Sequence, residues 1–144
     1  MNRIKIILLS LSLCFTFVFC DISHVQAEEF YYKEVIEIIG ESSSRATSTK
    51  TAKKTGYFAN GSTILWSVTV TGTFTYNGTT SRCTNSSVAA SSNDSRWRIV
   101  SKSSSKSGST AKATAIAKCY LNNLVINTKT QTVSLTCCAS GKLP

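Results

Sequence analysis

An all-β fold, a small antiparallel β-sandwich built from hairpins and set behind a cleaved leader, is expected from this chain on three grounds. Residues 64–76 (ILWSVTVTGTFTY) alternate strictly between an apolar set and a hydroxyl set. Turn-forming dipeptides, Asn60-Gly61, Asn77-Gly78, Ser107-Gly108 and Asn122-Asn123, punctuate the chain at short intervals. Residues 96–102 and 110–137 repeat the alternation. Period two is the signature of a half-buried strand, and such dipeptides tolerate the backbone that tight hairpins need.

The chain divides into three parts. Residues 1–27 read as a signal peptide: Arg3 and Lys5 lead, residues 6–20 are almost wholly apolar, and Val25-Gln26-Ala27 offers small residues for cleavage after Ala27. The apolar run is shorter than the roughly 20 residues a membrane span requires. Secretion is therefore expected, with cleavage removing Cys14, Cys20 and the only histidine, His24.

Residues 28–54 form the second part. Residues 28–41 (EEFYYKEVIEIIGE) are acidic and apolar, open to reading as an amphipathic helix, an edge strand or a propeptide. Residues 42–54 (SSSRATSTKTAKK) read as a polar linker. The β-sandwich domain is expected over residues 55–144.

Within that domain, Ile64, Trp66, Val68, Val70, Gly72, Phe74 and Tyr76 share the inward face of one strand. A two-residue turn at Asn77-Gly78 sets Tyr76 against Thr79 and Gly72 against Cys83, with Cys83 on the core face. Further on, two-residue loops at Ser107-Gly108 and Asn122-Asn123 put Trp97, Ile99, Ile116, Tyr120, Val125, Val133, Leu135 and Cys137 on one face. The other face takes Arg96, Arg98, Lys102, the alanines 111, 113, 115 and 117, and a set of threonines. In that register Cys119 lies opposite Ile126, too far along the strand to reach Cys137 or Cys138. Cys83 and Cys137 both face the core and are the preferred disulfide pair for an exported chain. Cys119 and Cys138 are left free or joined between copies.

Charge narrows the function. Residues 42–144 hold 13 Lys and Arg against one carboxylate, Asp94, whereas residues 28–41 hold five glutamates against Lys33. With His24 removed, no Ser-His-Asp or Cys-His arrangement can be assembled, and no paired carboxylates face each other. Lys118 beside Cys119 could activate a thiol, but a surface lysine next to a structural cysteine is the simpler reading. Neither a metal site nor a cofactor is expected, since no C-x-x-C, mature histidine or phosphate-cradling glycine loop is present. A non-enzymatic protein is expected.

The basic residues are the better candidates. Arg96, Arg98 and Lys102 are placed on one strand face, Lys106 at the adjoining turn, and Lys112 and Lys118 on the neighbouring strand. Such a cluster suits an anionic cell-wall polymer or an anionic membrane surface. Nucleic acid is disfavoured because Trp66, Phe74, Trp97 and Tyr120 are placed on core faces and not out where bases would stack. A different class also fits: a bacteriocin-like effector whose acidic residues 28–41 are a propeptide covering the basic domain.

The runs WSVTVTGTFTYNGTTSRCT, RWRIVSKSSSKSGSTAKATAIAK and TQTVSLTC give the chain its resemblance, over residues 55–137, to a family. It resembles small exported proteins of Gram-positive bacteria grouped under a domain of unknown function. The resemblance implies secretion and a bacterial source. It also implies recurrent cysteines at the positions of Cys83 and Cys137. It implies no activity, ligand or catalytic residue.

Overall fold

A computed structural model describes residues 29–144, so the expected leader and its cleavage site at Ala27 lie outside the described residues. Seven strands follow in order: β1 (Phe30–Ser43), β2 (Ser48–Asn60), β3 (Thr63–Tyr76), β4 (Ser81–Ser92), β5 (Trp97–Ser107), β6 (Thr110–Leu121) and β7 (Leu124–Thr136). They form two antiparallel meanders, β1-β2-β3-β4 and β5-β6-β7. The sheets pack face to face, β4 against β5, β3 against β6 and β2 against β7, while β1 packs on β2 alone among the strands. This is the expected β-sandwich.

The core follows from the alternation of β3. Trp66, Val68, Val70 and Phe74 are fully buried on its inward side, in one core cluster with Val133 and Leu135 of β7, Cys137 just after it and a stripe of alanines from β6. Each such large side chain contributes about 1.5–3 kcal/mol of burial. Gly72 completes the β3 face. A Cβ there would lie 2.6 Å from the Phe74 ring and 2.9 Å from the Cβ of Ala111 in the facing sheet.

The structure corrects several registers. The β3–β4 connection is a four-residue loop, with Tyr76 opposite Ser81 and Phe74, not Gly72, opposite Cys83. Asn77 explains the longer loop. Its side-chain oxygen accepts from the backbone N–H groups of Thr79 (3.0 Å) and Thr80 (2.8 Å), and Gly78 N–H donates to Ala139 O. The side chain thus satisfies the turn, which then has no need of the positive φ at Asn77 that the two-residue turn demands. Asn122 and Asn123 do adopt φ of 50° and 65° and make the expected two-residue turn, Leu121 opposite Leu124.

Two bulges overturn the expected face of the second sheet. The β5–β6 register shifts between Ile99 and Ser101, and the β6–β7 register between Cys119 and Tyr120, where Ile126 is skipped. One inserted residue exchanges the faces beyond it. Ala111, Ala113, Ala115 and Ala117 therefore face the core and are fully buried, whereas Ile116 and Tyr120 face outward and are only partly covered. Cys119 lies opposite Asn127 instead of Ile126.

The expected linker is also corrected. Residues 48–54 are the first half of β2, a strand flanked by β1 and β3, and the strand runs unbroken through the expected boundary at residue 55. Its polar composition conceals this because the lysines are paired on the spot. Lys53 meets Glu37 at 2.9 Å, Lys54 meets Glu34 at 2.7 Å and Lys50 meets Glu41 at 3.3 Å. Of the three readings of residues 28–41, the structure has the edge strand.

Candidate basic face

The three-strand sheet carries six cations, Arg98, Lys102, Lys106, Lys112, Lys118 and Lys129, and its strands contain no Asp or Glu. The fold sorts them by face. Lys118 and Lys112 alternate with the buried alanines of β6 and so point outward. Arg98 lies directly opposite Lys118, before the β5 bulge, and shares that outer face. Its guanidinium carbon sits 4.8 Å from the centre of the Tyr120 ring, a cation–π contact that holds the side chain flat against the sheet.

Beyond the bulge at Val100, β5 presents its other set of residues inward. Lys102 and Lys106 lie opposite the inward-facing Ala115 and Ala111, along the side of the sheet that meets β4. Lys106 Nζ donates to Thr84 O and Ser104 Oγ donates to Ser86 O at 3.3 Å, so this row stitches the edges of the two sheets together. Arg96 is on the turn preceding β5, not on the strand. Its backbone N–H and its guanidinium both hold Asp94, with Nη2–Oδ2 at 2.9 Å. The Arg96 side chain in turn holds the Asp94 carboxyl below the usual carboxylate range.

The six expected residues are therefore not one cluster. Arg98, Lys112 and Lys118 share the outer face, Lys102 and Lys106 belong to the β4–β5 edge, and Arg96 serves Asp94. Arg98 and Lys118 are about 5 Å apart at Cα, as opposed residues of an antiparallel pair are. Lys112 is six residues along β6, roughly 20 Å away.

Between them runs a field of hydroxyls. Thr114 and Thr132, between Lys118 and Lys112, are hydrogen-bonded at 2.9 Å, and Thr110 and Thr136, just beyond Lys112, at 2.8 Å. Opposed like charges destabilise a strand pair. Within the Arg98–Lys118 pair, the Tyr120 ring takes up part of the Arg98 charge. Sequence reasoning missed this pairing because it rests on the bulge. Tyr120, placed in the core beforehand, belongs to the face.

The acidic strand does not lie over these residues. Glu34, Glu37 and Glu41 are engaged by lysines of β2 in the other sheet. At the end of that ladder, Lys50 is only 8% exposed and donates to Gly141 O at 2.6 Å. Tyr76 donates its hydroxyl to Glu41, and that bond, aided by Lys50, draws the Glu41 carboxyl below the usual range.

The expected Cys83–Cys137 bridge is not formed. The four cysteines among the described residues are free thiols, three of them buried and Cys138 exposed. Each of the two candidates is occupied close to its own backbone: Cys83 Sγ donates to Asn85 O at 3.2 Å and Cys137 Sγ to Cys138 O at 3.5 Å. Burial pushes the Cys83 thiol up, away from nucleophilic character. Cys119 points into the core while Lys118 points out, so the two do not meet as a nucleophile and its activator. Among the described residues, no three His, Cys, Asp or Glu side chains come together as metal ligands. Comparison with protein-family models, with curated proteins and with solved structures finds no match for this chain.

Proposed function

We propose that this is an exported, non-enzymatic β-sandwich module that binds anionic polymers of a Gram-positive cell envelope through the outer face of β5, β6 and β7. The observation that carries the reading is the directly opposed Arg98 and Lys118, on three strands without a carboxylate. A repeating phosphate polymer laid along β6 would neutralise that pair and reach Lys112, with strand hydroxyls donating between them. The signal-like residues 1–27 support export.

The test is retention on isolated cell walls and on anionic liposomes, at low and high salt. Wild-type protein should be retained at low salt and released as salt rises. The triple substitution Arg98→Ser, Lys112→Ser, Lys118→Ser should abolish retention, whereas Lys102→Ser and Lys106→Ser should change it little. Equal retention of the triple variant would remove this face from the function.

One observation favours a second reading, an effector released from an acidic propeptide: β1 packs on β2 alone among the strands. Its removal uncovers one side of Phe58 but leaves β2, β3 and β4 facing β5, β6 and β7. Mass spectrometry of the secreted protein separates the two. An N-terminus near Ser42 supports the effector, and one at Glu28 opposes it.

A further inference from the structure

β1 is an edge strand of 14 residues, exposed along its whole length. It carries apolar side chains on both faces: Phe30, Tyr32, Ile36 and Ile38 on the inward side, Tyr31, Val35 and Ile39 on the other or at the bulge, all at least 37% exposed. No strand of the facing sheet lies opposite β1, so Phe30 and Tyr32 overhang the sandwich, while the C-terminal residues 140–143 border Ile36 and Ile38. Folded monomers usually blunt such an edge with charges, a bulge, a proline, shortness or a cover. β1 has a bulge at Ile39, and its Glu34, Glu37 and Glu41 are each paired with a lysine of β2. Here there is one lysine, Lys33, and no proline.

The occupant that fits is a second copy of the same strand. A two-fold axis perpendicular to a continued antiparallel sheet places one residue opposite itself, and the choice of that residue fixes every other pair. Centres at Lys33, Glu34 or Glu37 oppose like charges. A centre at Ile36 sets Lys33 against Ile39 and Glu34 against Ile38, pairing each charge with an apolar side chain.

A centre at Val35 behaves differently. It opposes Val35 to Val35, Lys33 to Glu37 twice and Tyr32 to Ile38 twice, with Glu34 against Ile36 as the one charge–apolar mismatch and Tyr31 meeting Ile39 at the bulge. Opposite charges and aromatic–β-branched pairs are the cross-strand combinations that stabilise antiparallel sheets. We infer that the protein forms a two-fold dimer through antiparallel β1–β1 pairing centred on Val35, joining the two four-stranded sheets into one of eight. Tyr32 and Ile38 of the two copies then lie together on the inward side. This goes beyond the proposed polymer binding and does not depend on it; two basic faces on one particle would follow from it.

The test is sedimentation equilibrium of purified protein whose β1 is intact by mass. Wild type should be dimeric at micromolar concentration. Lys33→Glu leaves the Lys53–Glu37 ion pair in place but opposes carboxylates at both ends of the joint. It should raise the dimer dissociation constant roughly tenfold or more. Glu37→Lys should weaken self-association likewise. Mixing the two variants should restore it as a heterodimer, since each charge then meets its opposite. Should Glu37→Lys loosen β1 itself, Val35→Lys gives an independent reading, because it opposes two lysines at the axis.

A wild-type monomer would overturn the inference. So would an unaffected dimer in Lys33→Glu and Val35→Lys together, or open-ended assembly in place of a dimer.

Discussion

Phe58 on β2 should be among the costliest single truncations in the molecule, and its neighbour Tyr57 among the mildest for an aromatic. Phe58 is 1% exposed, with ring centres at 5.3 Å from Phe30, 5.2 Å from Tyr32, 5.7 Å from Trp66 and 5.3 Å from Trp97. It thus ties β1 to β3 and to the facing sheet through one side chain. Phe→Ala at a buried site costs about 3–5 kcal/mol, and four ring contacts place Phe58→Ala in the upper half of that range. At about 4 °C per kcal/mol for a domain of this size, Tm should fall by roughly 16–20 °C.

Tyr57 points to the outer side of the same strand, so Tyr57→Ala should cost under about 1 kcal/mol. Urea unfolding followed by tryptophan fluorescence measures both, and an unchanged m-value certifies that the midpoint shift is a stability change. If Tyr57→Ala costs as much as Phe58→Ala, or Phe58→Ala less than about 1 kcal/mol, the strand is turned over and the packing described is wrong.

Gly72→Ala should destabilise by about 1–2 kcal/mol, because a Cβ at 2.6 Å from Phe74 and 2.9 Å from Ala111 forces the sheets apart; urea midpoints decide it. Asn123→Gly should be neutral or slightly stabilising and Asn123→Ala destabilising by about 1 kcal/mol, since φ there is 65°; thermal melts of the two compare them. Asp94 and Glu41 have carboxyl pKa values drawn down in the folded protein. Their contribution is complete above the unfolded value, near pH 4, and is lost as pH falls through the lower folded value. Asp94→Asn should therefore flatten the decline of stability below about pH 4, read from melts between about pH 5 and 2. Iodoacetamide should label Cys138 in native protein and reach Cys83, Cys119 and Cys137 only after denaturation, as peptide mass mapping will show.

How far the chain can be read without its structure depends on what each segment's neighbours do. β3 was legible because it is central and packs one face on the facing sheet, so burial and alternation coincide in Trp66, Val68, Val70 and Phe74. The Asn122-Asn123 turn was legible because its conformation is a local property of two residues. β2 was hidden, since Lys50, Lys53 and Lys54 look solvated until β1 supplies a glutamate for each. The second sheet was misfaced for a subtler reason. In KATAIAK the alanines look like spacers between more informative residues, and only the bulges at Val100 and Ile126 make them the core face.

The same bulges decide the candidate site. Arg98 and Lys118 were both expected in the basic set, but a register without a bulge at Val100 leaves Lys102 beside Arg98 and removes Tyr120 to the interior. No local signal marks a bulge at Val100, a β-branched residue well suited to an ordinary strand. Which cations share a face was therefore beyond the sequence, though their identities were not.

The most direct measurement is the salt dependence of binding to a glycerol-phosphate polymer. With Arg98, Lys112 and Lys118 each engaging a phosphate, log K against log salt should fall with a slope of roughly −2 for wild type. The slope should shrink to about −0.7 for Arg98→Ser, Lys118→Ser, with affinity reduced at every salt concentration. The same slope and the same affinity in that variant would mean that the opposed pair on the outer face does not bind the polymer.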